Sequence, residues 1–159
     1  MQGNCLNNMK NKEVVEKLIE KGISISTIES ITGGVLAKLI TDIPGSSKVF
    51  SEGYVTYSIN AKVSLGVDEK LIEKFGLVSK EVAFEMALKL FEKSSADICI
   101  STTGNAGPTV CDNKPVGKTF IGISNRGNIH IIECDFSGDR NTIREKIAEK
   151  VFDEILLII

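Results

Sequence analysis

A serine and a lysine stand where they could together run a nucleophilic reaction. Ser30 lies in Glu29-Ser30-Ile31-Thr32-Gly33-Gly34, between a β-branched run and a short helical run. A hydroxyl at such a strand-to-helix junction sits beside the free N–H groups of the helix start, which suit an oxyanion or a phosphate. Thr32, Gly33 and Gly34 are therefore candidate substrate-binding positions. The plainer reading of the same residues is a connecting turn with Ser30 or Thr32 as helix cap. Lys62 closes Tyr57-Ser58-Ile59-Asn60-Ala61-Lys62, in the first turn of a predicted short helix. The positive end of the helix dipole, with burial, lowers a lysine pKa and leaves neutral amine able to act as general base for a serine. Tyr57 is placed to orient that lysine or pass a proton.

Three further segments could hold a ligand. Pro44-Gly45-Ser46-Ser47 is a turn whose serines can cap a helix or bind an anion, and taken alone it reads as a turn. Thr103-Gly104-Asn105-Ala106-Gly107-Pro108 follows a strand-like run, where glycines let a backbone approach a ligand; it lacks the Gly-Lys-Ser/Thr ending of a phosphate-binding P-loop. Thr103 and Gly104 are its candidate contacts. Arg140 follows Gly138-Asp139 at the start of the last helix, where its own helix gains nothing from a cation; it is either a phosphate or carboxylate ligand or a solvated surface residue.

The elements that must position these residues are legible in the hydrophobic pattern. Val14, Val15, Leu18 and Ile19 recur at helical spacing before Gly22. Strands are predicted over 23–29, 49–57, 97–102, 118–124 and 129–136, the last two joined by a turn at 125–128 and hence antiparallel. Helices are predicted over 35–41, 59–65 and 68–75, after Ser79, and from about Asp139 to Leu157. Ser58, Ser79 and Asp139 read as helix caps. Alternating helices and strands with one hairpin predict an α/β fold, a three-layer α/β/α sandwich with a mixed β-sheet.

Composition bounds the function. The chain has 159 residues, net charge −2, 42% apolar and 25% charged residues, the usage of an ordinary globular protein. That charge argues against a large nucleic-acid or anionic-membrane footprint, and no apolar run reaches the length of a membrane span. Cys5, Cys99, Cys111 and Cys134 form no C-x-x-C pair and there is one histidine, so no metal site is expected. The cysteine usage points to a reduced, cytoplasmic protein, with Cys99 and Cys134 as small core residues. His130 is given no role. The Asn-rich start lacks the apolar core of a signal peptide; residues 1–11 are expected to be a disordered leader and 12–159 one domain.

Taken together and in this order, the motifs resemble the C-terminal domain of the competence/damage-inducible protein CinA, a family also found as stand-alone nicotinamide-nucleotide amidases. The matching text is Glu29-Ser30 with Thr32-Gly33-Gly34, Thr41 to Ser47, Val55-Thr56-Tyr57-Ser58 with Ala61-Lys62, Leu65-Gly66-Val67 and Gly76 to Ser79. Thr103-Gly104, Ala106-Gly107-Pro108, Lys114 to Gly117 and Gly138-Asp139-Arg140 complete it. The resemblance spans about residues 12–155. It implies metal-independent, cofactor-free hydrolysis of nicotinamide mononucleotide to nicotinic acid mononucleotide and ammonia. It implies Ser30 as nucleophile with Ser47 as the alternative, Lys62 as base, Tyr57 and Ser47 as further functional positions, and Thr103 and Arg140 as substrate contacts. It also implies a homo-oligomer, with a dimer expected. Family members often carry glycines and acids where this chain has Thr109 to Asn113. The competing reading is a nucleotide-binding or regulatory module that keeps the pocket without turnover.

Overall fold

The computed structural model describes residues 2–159, with side chains from Lys10 onward. In chain order the elements are α1 (Gln2–Lys21), β1 (Ile25–Glu29), α2 (Val35–Thr41), β2 (Phe50–Val55), α3 (Ile59–Ser64), α4 (Glu69–Phe75) and α5 (Lys80–Ser94). Then come β3 (Ile98–Gly104), β4 (Lys118–Asn125), β5 (Asn128–Asp135) and α6 (Arg140–Ile158). A single 3-10 turn, Ser46–Lys48, precedes β2. Composition predicts a leader over 1–11; α1 is instead helical from Gln2, and Met1 lies outside the described residues. Where side chains are described the segment is tied down: Lys10 bridges Glu149 and Asp153 of α6, and the buried Asn11 amide donates to the Leu39 carbonyl.

The five strands form one mixed sheet in the order β2-β1-β3-β4-β5. β1 runs parallel to both β2 and β3, whereas β4 is antiparallel to β3 and to β5. The expected hairpin is thus present, closed at Asn125 and Asn128. α1, α2 and α6 cover one face through a core that includes Leu18, Leu36, Ile40, Ile147 and Phe152, all buried against Ile25, Ile98, Ile100, Ile121 and Ile123. α4 and α5 cover the other through Ile72, Val82, Met86 and Leu90 against Ile28 and Cys99. This is the three-layer α/β/α arrangement expected from the alternation of elements.

Three caps sit where the hydroxyls and carboxylates predict them. Ser58 accepts from the Ala61 N–H, Ser79 from Val82 and Asp139 from Thr142. α2 is the exception. Its N-cap is Gly34 in the left-handed region, so neither Ser30 nor Thr32 caps it. The buried Glu29 takes over that work: its two carboxylate oxygens accept from the N–H groups of Leu36 (2.9 Å) and Ala37 (3.0 Å). A carboxylate suits this position because the helix start carries unpaired donors and a positive dipole end.

Candidate active site

The C-terminal ends of the parallel strands converge on one place. Successive residues of a strand face opposite sides, and this alternation sorts the motif residues. On β1, Ile25, Thr27 and Glu29 face α2, while Ile28 and then Ser30 face the α3–α5 side. On β3, the Thr102 hydroxyl lies 2.8 Å from that of Thr32 on the α2 side, while Ser101 and Thr103 bond the backbone of α5 and of the α4–α5 connection.

Lys62 reaches Ser30 from α3. Its Nζ lies 3.0 Å from Ser30 Oγ and 2.7 Å from the Thr56 carbonyl oxygen. Thr56 follows β2 and its N–H donates to the Glu29 carbonyl, so the acceptor that steers the lysine is itself tied to β1. The lysine is 1% exposed. Burial pushes its pKa down from 10.5 to about 8, against a smaller opposing effect of the nearby Cys111 thiol. The sequence reading expects both the helix dipole and burial to lower it; in the structure burial is the cause. At neutral pH about a tenth of such a group is free amine, several hundred-fold more than for an ordinary lysine.

A cavity of about 290 Å³ opens over this pair, near the small end of ligand pockets. Ser30, Ile31, Tyr57, Lys62, Thr103 and Gly104 line it, with Arg140 at its edge. Tyr57 and Arg140 are both exposed and are joined by a hydrogen bond from the Arg140 guanidinium to the Tyr57 hydroxyl; a second guanidinium nitrogen donates to the Gly107 carbonyl at 2.7 Å. The Thr103 hydroxyl donates to the Leu77 carbonyl at 2.7 Å, so towards a ligand it can act only as an acceptor. Gly104 forms part of the floor: a Cβ there would lie 2.6 Å from the Lys118 carbonyl and 2.7 Å from Ile31 Cδ1.

Ser47 is not brought to this site. It is exposed in the 3-10 turn before β2, beside the start of β1, whereas Ser30 follows the end of β1; within one chain a strand's length separates them. The buried lysine that meets Ser30 therefore does not reach Ser47 of the same chain.

Two residues outside the expected set shape the cavity. Asn105, buried, donates from its amide to the carbonyls of Cys111 and Lys114 (both 3.0 Å) and accepts from the Cys111 N–H (2.9 Å). It staples the segment Thr109 to Asn113, whose Thr109 and Cys111 line the cavity. Asp112 and Lys114 tie the same segment to the N–H and carbonyl of Val78. Glu29, already described, anchors the turn that carries Ser30. An asparagine directly after a buried strand and an acid directly before the serine were the available signals; neither has meaning until its partners are known. Among the described residues, no three His, Cys, Asp or Glu side chains gather as a metal site, and no helix is long and apolar enough to cross a membrane.

Comparison with known proteins shows the family of this chain. A sequence model of the CinA C-terminal domain matches residues 7–159. A competence-damage inducible protein of Caldicellulosiruptor saccharolyticus is 47% identical over 142 residues, covering 88% of this chain and 34% of the relative. A CinA-like protein of Kosmotoga olearia is 43% identical over 145 residues, covering 89% of this chain and 35% of the relative. The chain thus spans about a third of the length of the curated relatives it matches. Among solved structures, a CinA superfamily protein of Escherichia coli superposes with a TM-score of 0.91 at 27% identity, covering 96% of this chain and 90% of that one. A competence or damage-inducible protein of Enterobacter asburiae gives 0.91 at 30% identity, with 96% and 97% covered.

Proposed function

The chain belongs to the CinA C-terminal domain family, and from that premise we propose that it is a nicotinamide-nucleotide amidase, hydrolysing the carboxamide of nicotinamide mononucleotide. The observation that carries the reading is the buried Lys62 amine 3.0 Å from the Ser30 hydroxyl, with its pKa held near 8. A nucleotide-binding module needs no lysine in that state; a serine nucleophile does.

The steps follow from the positions. Neutral Lys62 takes the Ser30 proton as Oγ bonds to the carboxamide carbon. Backbone N–H groups after Ser30 or around Gly104 hold the developing oxyanion. The lysine ammonium then returns the proton to the nitrogen, with Tyr57 at the cavity wall as relay, as the C–N bond breaks and ammonia leaves. Water attacks the resulting ester, Lys62 again takes the proton, and Ser30 departs protonated along with nicotinic acid mononucleotide. Arg140 binds the phosphate at the mouth. Residues 12–159 act as one amidase domain, in a cytoplasmic homo-oligomer.

The test is ammonia release from nicotinamide mononucleotide in EDTA, comparing the parent chain with Ser30→Ala and Lys62→Ala. Parent turnover that falls at least ~10³-fold in both variants is expected. Persistence in Ser30→Ala would remove that residue as nucleophile. A folded parent chain that binds the nucleotide without releasing ammonia would support the regulatory reading instead.

A further inference from the structure

Arg144 lies on α6 one turn beyond Arg140, on the opposite side of the Ser30 turn from Lys62. It is half-buried, and its Nε donates to the carbonyl oxygen of Ile31 at 2.9 Å. The rest of its guanidinium packs over Gly33, whose φ is +57° and whose missing Cβ would collide with Arg144 Nη2. The glycine therefore serves two ends: it permits the left-handed backbone of the turn and leaves room for the guanidinium.

The consequence falls on one peptide group. The bond between Ile31 and Thr32 is planar and trans, so its N–H points opposite to its carbonyl. With the Ile31 carbonyl held toward α6, the Thr32 N–H is turned away from α6. None of the N–H groups of Ile31, Thr32 and Gly34 has a backbone or side-chain acceptor among the described residues, whereas Gly33 N–H donates to the Ser30 carbonyl and Val35 N–H to that of Thr32. Ile31 itself lines the cavity over Ser30. Thr32 is further pinned by its hydroxyl contact with Thr102.

On the reading of the site given above, we infer that Arg144 is a positioning residue: it locks the Ile31–Thr32 peptide so that the N–H groups following Ser30 are presented to the oxyanion. It touches no reacting atom. Its guanidinium acts through the carbonyl it holds, in the way a fixed donor is worth most when it needs no reorganisation as charge develops.

Two readouts test this. In the first, kcat and KM for nicotinamide mononucleotide are measured for Arg144→Ala and Arg144→Lys. Alanine is expected to lower kcat by about 10²–10³-fold with KM changed less than about threefold, as for loss of an oxyanion donor. Lysine, which can still donate to the Ile31 carbonyl, is expected to retain more. Millimolar guanidinium should restore part of the alanine variant's rate, and equal sodium chloride should not. In the second, sulfonylation of Ser30 by phenylmethanesulfonyl fluoride is followed by mass spectrometry. This needs the nucleophile and its oxyanion site but not the nucleotide, and it should slow in Arg144→Ala and recover with guanidinium.

An alanine variant with unchanged kcat, or with a loss that guanidinium cannot rescue and that tracks a fall in melting temperature, would overturn the inference. If the parent chain labels at Ser30 in an Arg144-dependent way yet releases no ammonia, the choice of substrate fails and the role of Arg144 stands. A parent chain that neither turns over nor labels would overturn both.

Discussion

Glu29 and Ser30 are neighbours in the chain, yet their side chains lie on opposite faces of the sheet: the Glu29 carboxylate caps α2, and the Ser30 hydroxyl meets Lys62. The two-residue period of a strand makes this division unavoidable once either side is fixed. The acid holds the turn from one side while the serine faces the cavity and Lys62 on the other.

Removing that hold should cost both stability and rate. Glu29→Ala deletes two buried, charge-assisted bonds to the start of α2 and should destabilise the fold by about 2 kcal/mol, read by urea unfolding. Ammonia release should fall as well, because the turn bearing Ser30 loses its anchor. An unchanged unfolding midpoint would show that α2 is held by its apolar contacts alone.

The rate should depend on the protonation of Lys62. Its pKa of about 8 places the neutral amine on the alkaline side, so kcat/KM should rise about tenfold per pH unit below 8 and level off above it. A flat profile from pH 6 to 8 would rule out Lys62 as the base. Stability carries the same sign. The folded state binds fewer protons than the unfolded one between pH 8 and 10.5, so stability should rise with pH through that window, by about 3 kcal/mol in all. Lys62→Met should abolish this component, which a comparison of unfolding at pH 7 and pH 10 would show.

Arg140 should act on binding more than on chemistry. Its guanidinium is organised by the Gly107 carbonyl and the Tyr57 hydroxyl. Arg140→Ala is expected to raise KM for nicotinamide mononucleotide by about 10–100-fold, the worth of one charge-assisted contact. The change should be much smaller for nicotinamide riboside, which lacks the phosphate. Equal losses on both substrates would place the phosphate elsewhere.

Asn105 should control the shape of the cavity rather than its reactivity. Asn105→Ala removes three bonds to the Cys111–Lys114 segment and leaves buried backbone groups without partners. It should cost about 2–3 kcal/mol and weaken substrate binding, while the rate of Ser30 sulfonylation stays within about threefold. A collapse of Ser30 labelling would mean that the loop also positions the nucleophile.

Much of the fold was legible in the residues. α2, predicted over 35–41, spans Val35–Thr41, and the hairpin closed where Asn125 to Asn128 predicted a turn. Ser58, Ser79 and Asp139 cap the helices they precede. These are local matters: side-chain period, hydroxyl chemistry and turn residues act over a few positions, and a single chain displays them directly. At the start of the chain α1 runs from Gln2 to Lys21, and at Lys10 and Asn11 it is fastened by partners in α6 and α2, contacts that a polar, Asn-rich stretch does not announce.

The elements, their order and a short set of residues with nucleophilic or basic side chains can be read from the chain alone. Which of those residues meet depends on how the elements pack. Ser30 and, as the alternative, Ser47 both stood as candidate nucleophiles in the sequence, and the parallel pairing of β1 with β2 puts one at each end of the strand. The positions of Asn105, Glu29 and Arg144 did not reveal their partners, which are backbone groups 6–113 positions away. The lowered pKa of Lys62 arises only because α3 packs it out of water against Thr56. Desolvation and hydrogen-bond geometry depend on what the fold brings within a few ångströms, and no local pattern encodes that distance.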